Sequence, residues 1–131
     1  MNPGFQLDEA QFRHVRAVYL ESAGSMIRQL DESVWRCDGP GLEQHLAAII
    51  RLGHSLKGSS FQLGLGKIGI TAEAMESRGA ACLGCGRVTG EDREAMREGV
   101  RALEEMLRCL EQEKPLPDPR ILCSRLRVVT P

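Results

Sequence analysis

The feature that most constrains this 131-residue chain is a helical period that recurs between glycine and proline breaks. From Asp8 to about Trp35, Phe12, Val15, Tyr19, Ala23, Met26 and Leu30 follow one another at steps of three and four. That spacing draws a single apolar stripe on a helix. Asp8 and Gln11 have the spacing of a capping box at its start, and Cys37-Asp38-Gly39-Pro40-Gly41 interrupts it. A second helix is expected from about Gly41 to Leu63, with Leu42, Leu46, Ile49, Gly53, Leu56, Ser60 and Leu63 on its stripe. Gly64 and Gly66 should end it. A third, from about Lys67 to Leu83, carries Ile68, Ala72, Met75, Gly79 and Cys82, and the run Gly84-Cys85-Gly86 should stop it. Its small residues allow a neighbour to come close. A fourth begins behind Thr89, an N-cap with Asp92 three residues on. It presents Met96, Val100, Leu103, Met106, Leu107 and Leu110, with Glu104 and Arg108 as an outer i,i+4 pair. Pro115, Pro117 and Pro119 close it.

Four amphipathic helices on short connections predict an all-α, antiparallel up-down four-helix bundle. The bundle should occupy residues 1–114, with a Pro-rich C-terminal tail at 115–131 and room for a short extra helix at the N-terminus. The tail has apolar residues (Ile121, Leu122, Leu126, Val128, Val129) but too little length for a core of its own. It is expected to be irregular, either laid on the bundle or loose. The length is that of one domain, and 42% apolar residues suffice for one core. Seventeen basic and eighteen acidic residues give a charge of −1. That balance excludes a general affinity for nucleic acid. Only 4% of residues are aromatic, which disfavours a β-sandwich. No apolar run reaches the roughly 18–20 residues of a membrane span, and Met1 to Leu7 lack the pattern of a leader. Five cysteines, at 37, 82, 85, 109 and 123, do not pair off into a disulfide framework. They are expected as reduced thiols in a cytoplasmic protein with no membrane partner.

The chemistry concentrates in Gly53-His54-Ser55-Leu56-Lys57-Gly58-Ser59-Ser60-Phe61-Gln62-Leu63-Gly64. His54 stands one residue off the core stripe, which puts it on a flank of the second helix. Lys57 and Gly58 follow at i+3 and i+4, with Cβ positions roughly 5–6 Å away on the next turn. A glycine inside a helix costs about 1 kcal/mol relative to alanine. Its presence implies that something must approach that backbone. From Gln44 to Ala72 there is no Asp or Glu, while Arg51, Lys57 and Lys67 are present. A neutral or positive field of this kind suits a group that becomes anionic. It does not suit a metal site, and it offers no carboxylate to orient the histidine.

The string His54-x-x-Lys57-Gly58-Ser59-Ser60-x-x-Leu63-Gly64 resembles the histidine-containing phosphotransfer (HPt) family of two-component phosphorelays, and the helix pattern extends the likeness to roughly residues 8–114. The resemblance implies that His54 is the phosphoacceptor, acting through Nε2, and that Lys57 offsets the phosphoryl charge. It implies that Gly58 lets a partner approach, that Ser59, Ser60 and Leu63 pack, and that Gly64 ends the helix. The implied partners are response-regulator receiver domains and a hybrid sensor histidine kinase. The chain has neither an acidic cluster for Mg²⁺ nor a glycine-rich nucleotide loop. The Mg²⁺ and the catalytic machinery are thus expected in the partner receiver, with no cofactor, no metal and no enzyme activity in this chain. Two departures from the family pattern stand out. Gly53 replaces a common alanine, which should loosen the helix before His54. Phe61 stands where small residues are usual. Together with Ile50, Arg51, Gly58 and Gln62 it is expected to form a docking rim that selects partners.

Other readings lead elsewhere. The same face could bind a receiver or kinase as an adaptor without being phosphorylated. Cys82-Leu83-Gly84-Cys85 is a lone C-x-x-C pair that a redox or metal switch could use; zinc would need two further ligands, a redox pair lacks its usual strand-to-helix context, and the pair is expected to be filler at a helix end. His14 should be solvated or partly packed, His45 a flank residue, and Arg93, Arg97, Arg101 and Arg108 a solvated face among acids.

Overall fold

A computed structural model describes residues 8–127. They form α1 (Glu9–Trp35), α2 (Leu42–Gln62), α3 (Gly66–Cys85), α4 (Gly90–Glu111) and α5 (Arg120–Arg127), with a single 3₁₀ turn at Gly39–Gly41. Among the described residues there is no strand. An extra N-terminal helix would fall before Asp8, outside those residues. α1 packs on α2 and α4, and α3 packs on the same two, so the four long helices close a ring. Leu30, Leu46, Leu56, Met75 and Leu103 are fully buried inside it.

Local chemistry sets the ends of the elements. Asp8 and Gln11 form a reciprocal capping box at α1, and Thr89 and Asp92 form another at α4. α2 ends at Gly64 (φ 75°), where Gly64 and Leu65 donate to the carbonyls of Phe61 and Ser60. This is a Schellman closure, and its left-handed residue favours glycine. α3 continues through Gly84 and Cys85, beyond the expected stop. The break needs left-handed backbone, and that first occurs at Gly86 (φ 70°).

Several expectations are corrected. Phe12 and Leu63 are 59% and 41% exposed rather than core, and Met26 is half-buried while Ile27 is buried. The stripe drifts because 3.6 residues per turn does not match a fixed three-four alternation over 27 residues. Arg108 pairs with Glu105 at 2.8 Å, one position from the expected Glu104. The largest correction is the tail. Residues 120–127 are helical, and α5 lies against α3 and α4 with Cys123 and Leu126 buried. Eight residues cannot hold a helix alone; tertiary contacts do. Arg78 of α3 donates to the carbonyl of Arg125 at 3.0 Å and forms a 2.7 Å ion pair with Asp92 of α4. Lys67 donates to the carbonyl of Leu116 at 2.9 Å, which tethers the proline segment.

The α2–α3 contact is close because glycines line it. A Cβ on Gly53 would stand 3.0 Å from the Ala72 carbonyl oxygen and 3.1 Å from the Glu76 nitrogen. On Gly79 it would stand 3.1 Å from Ile49, and on Gly69 it would press 2.9 Å into the Phe61 ring. Gly53 therefore lets the two helices meet instead of loosening α2.

Candidate functional site

His54 projects from the middle of α2, and its side chain is 70% exposed. Lys57, one turn on, is 25% exposed. Both meet a group that the sequence left out. Glu76 of α3 sets Oε2 3.0 Å from His54 Nδ1 and Oε1 3.6 Å from Lys57 Nζ. The acid-free window of α2 therefore does not give an acid-free site, because α3 supplies the acid across the close helix contact. The signal was present in sequence: Gly53 beside His54, with small Ala72 and Gly79 on α3, marks a tight crossing. Glu76 is the first acid one turn from Ala72 along that stripe.

This geometry has a chemical consequence. An ionised carboxylate only accepts hydrogen bonds, so the His54 nitrogen facing Glu76 carries the hydrogen. In a neutral imidazole the Nδ1–H then donates to Glu76, which leaves the lone pair on Nε2.

The rim residues fall into two groups. Arg51, Gly58, Phe61 and Gln62 are exposed, whereas Ile50 is half-buried against Gly79. A Cβ on Gly58 would meet nothing within 4 Å, so bare main chain faces open space beside the imidazole. Phe61 rests one face over Gly69 and remains 45% exposed. Ser59 donates to the Leu56 carbonyl at 3.2 Å. Buried Ser60 shares a 2.8 Å hydrogen bond with Tyr19 of α1. Burial pushes the Tyr19 hydroxyl pKa up, and that bond pulls it part of the way back.

The remaining candidates lie elsewhere. His14 is exposed, and His45 is half-buried with its ring against Gly41. Cys82 is buried, Cys85 is exposed, and both are free thiols. Burial, followed by the Asp92 charge, pushes the Cys82 thiol up to about 12. Among the described residues no group of three His, Cys, Asp or Glu side chains could hold a metal ion. Arg97 stacks over Trp35 at 4.3 Å, and Arg93 pairs with Asp38 at 3.0 Å, so α4's arginines bind α1 and its loop as well as solvent.

The Hpt domain family model matches residues 14–113, from within α1 past the end of α4. The chain belongs to the Hpt domain family. Hpt domains are phosphocarriers that serve histidine phosphotransfer in two-component signalling, where the family meets receiver domains and kinases. No curated protein and no solved structure matches the chain. Among the described residues no helix is long and apolar enough to cross a membrane.

Proposed function

We propose that His54 accepts a phosphoryl group from the phospho-aspartate of one receiver domain and passes it to another response-regulator receiver. The carrying observation is the pairing of an exposed imidazole with Glu76 at Nδ1, which leaves Nε2 as the nucleophile. The Nε2 lone pair attacks phosphorus, and the acyl phosphate P–O bond breaks. The partner's aspartate leaves as a carboxylate. Nδ1 keeps its hydrogen, so the reverse step expels a neutral imidazole, a far better leaving group than its anion. Lys57 lies one turn away to offset the phosphoryl charge.

Mg²⁺ and the remaining catalytic groups belong to the receiver in this reading, and a hybrid sensor kinase in the cytoplasm feeds the relay. Arg51, Gly58, Phe61 and Gln62, with the free edge of Ile50, form the docking rim. Gly58 is where a receiver's backbone can come nearest. The cross-helix pairs support an up-and-down antiparallel bundle carrying this site. Ile49, Gly53 and Phe61 on α2 meet Gly79, Glu76 and Gly69 on α3 in reverse order. Thr71 and Arg78 on α3 likewise meet Met106 and Asp92 on α4.

The test is label transfer from a phosphorylated receiver. Wild type should take up label and release it to a second receiver, and His54→Gln should take up none. Label on His54→Gln would overturn the assignment. Receiver binding by wild type without any transfer would return the adaptor reading.

A further inference from the structure

Glu76 offsets part of the positive charge that the α2 sequence brings to the site. Glu76 holds both other members at once, His54 at 3.0 Å and Lys57 at 3.6 Å. The three groups sum to zero with a neutral imidazole. The ammonium that should meet a phosphoryl group is therefore already engaged by a carboxylate, itself only 22% exposed and fixed on the tight α2–α3 contact. The remaining cation on this stretch of α2, Arg51, stands one turn before His54 on the exposed rim. A small phosphate donor in solution meets a weaker positive field here than the α2 sequence alone would give, because Lys57 is offset. A docked receiver does not need that field, because it brings its phosphoryl group to the ring by surface contact.

We infer that Glu76 is a specificity-determining charge lock: it neutralises Lys57 at rest and so favours phosphoryl groups carried by a docked protein over those on free small molecules. When a phosphoryl group arrives on Nε2, Lys57 turns from Glu76 to the phosphoryl oxygens. This inference rests on His54 being the acceptor, as proposed above.

Phosphoramidate is the probe. Its P–N bond breaks as His54 Nε2 attacks, ammonia leaves, and phosphohistidine forms without a metal or protein partner. Glu76→Gln keeps an oxygen that can accept the Nδ1 hydrogen but removes the charge. At low ionic strength, removing one negative charge about 6 Å from a monoanionic donor should speed labelling about threefold in water-like dielectric. The gain should shrink as salt shortens the screening length. The ratio of phosphoramidate rate to receiver rate should rise with it. Glu76→Asp retains the charge and should stay near wild type in that ratio, and Lys57→Gln should fall below it. These three variants together separate charge from packing, and thermal melts confirm that each is folded. No change in the ratio for Glu76→Gln, or a gain that ignores salt, would overturn the charge lock. Phosphoramidate label on His54→Gln would instead overturn the acceptor assignment on which it stands.

Discussion

Gly53 and Gly58 lie five positions apart on one helix and serve opposite purposes. Gly53 is crowded from outside: α3 backbone stands 3.0 Å from where its Cβ would go. Alanine there must push α3 away, which should cost about 1–3 kcal/mol, the usual range for overpacking. It should also part Glu76 from His54 and slow transfer. Gly58 faces open space. Alanine there removes a helix-interior glycine and should stabilise the fold by about 0.5–1 kcal/mol, while its methyl group blocks a docking receiver and lowers the transfer rate. Urea unfolding and receiver transfer, measured on both variants, should give opposite signs of stability change with the same sign of activity change. Equal destabilisation by the two substitutions would contradict this account. The residue scale is also where sequence served best. His54, Lys57 and Gly58 are fixed by local spacing along one helix. Glu76 was out of reach of local spacing because its contact spans 22 positions. Only the packing of two helices brings it in, and the sequence marks that packing through the small residues Gly53, Ala72 and Gly79 alone.

At the scale of elements, helix ends were legible where a residue type is diagnostic. Both capping boxes stand where the Asp8–Gln11 and Thr89–Asp92 spacings put them. The end of α4 was legible only from its prolines. It closes with Lys114 donating to Cys109 and Glu113 to Leu110, and Glu113 holds the left-handed position (φ 57°) where glycine would be usual. The Glu113 side chain also makes a 3.0 Å ion pair with Arg16. α5 was not legible at all: eight residues show too little periodicity, and the contacts that hold it come from α3 and α4. The Arg78–Asp92 pair is the centre of that junction, and its pH dependence can be argued. Burial works to raise the Asp92 pKa, but the hydrogen bonds from Thr89 and the charge of Arg78 outweigh it and hold the pKa below the usual 3.8. A carboxyl depressed in the folded state contributes its full stabilisation above its unfolded pKa and loses it as pH falls through the folded one. Asp92→Asn should therefore cost about 3–5 kcal/mol at pH 7, as expected for breaking a buried pair. The gap to wild type should stay flat down to about pH 5 and shrink below 3.8. Urea unfolding at pH 7 and pH 3 measures it, and an undiminished gap at pH 3 would mean that the charge is not the source.

Across the whole molecule, the cysteines report how the bundle and α5 open. Cys85 is exposed, Cys109 is half-buried, and Cys37, Cys82 and Cys123 are buried. Reactivity follows both access and thiolate content. Burial raises the pKa of Cys37 and of Cys123, and pushes Cys82 to about 12, so these three are withheld on both counts. An aromatic disulfide reagent at neutral pH should thus modify Cys85 first and Cys109 next, leaving the others until the structure opens. This ordering also bears on the Cys82–Cys85 pair: a thiol held near 12 cannot readily attack a disulfide at its neighbour, so modification of Cys85 should stop at the mixed disulfide. The three buried thiols need not be released together. All three belong to one buried cluster, but Cys123 sits on α5, a helix of eight residues joined to α4 through the proline segment. Local opening costs less free energy than global unfolding where few contacts hold an element. Cys123 should then react faster than Cys37 and Cys82 under native conditions. Leu126→Ala, which removes a fully buried anchor of α5, should widen that difference, with Cys82 little changed. Equal rates for all three buried thiols in both proteins would mean that α5 opens only with the bundle, as a full member of its core.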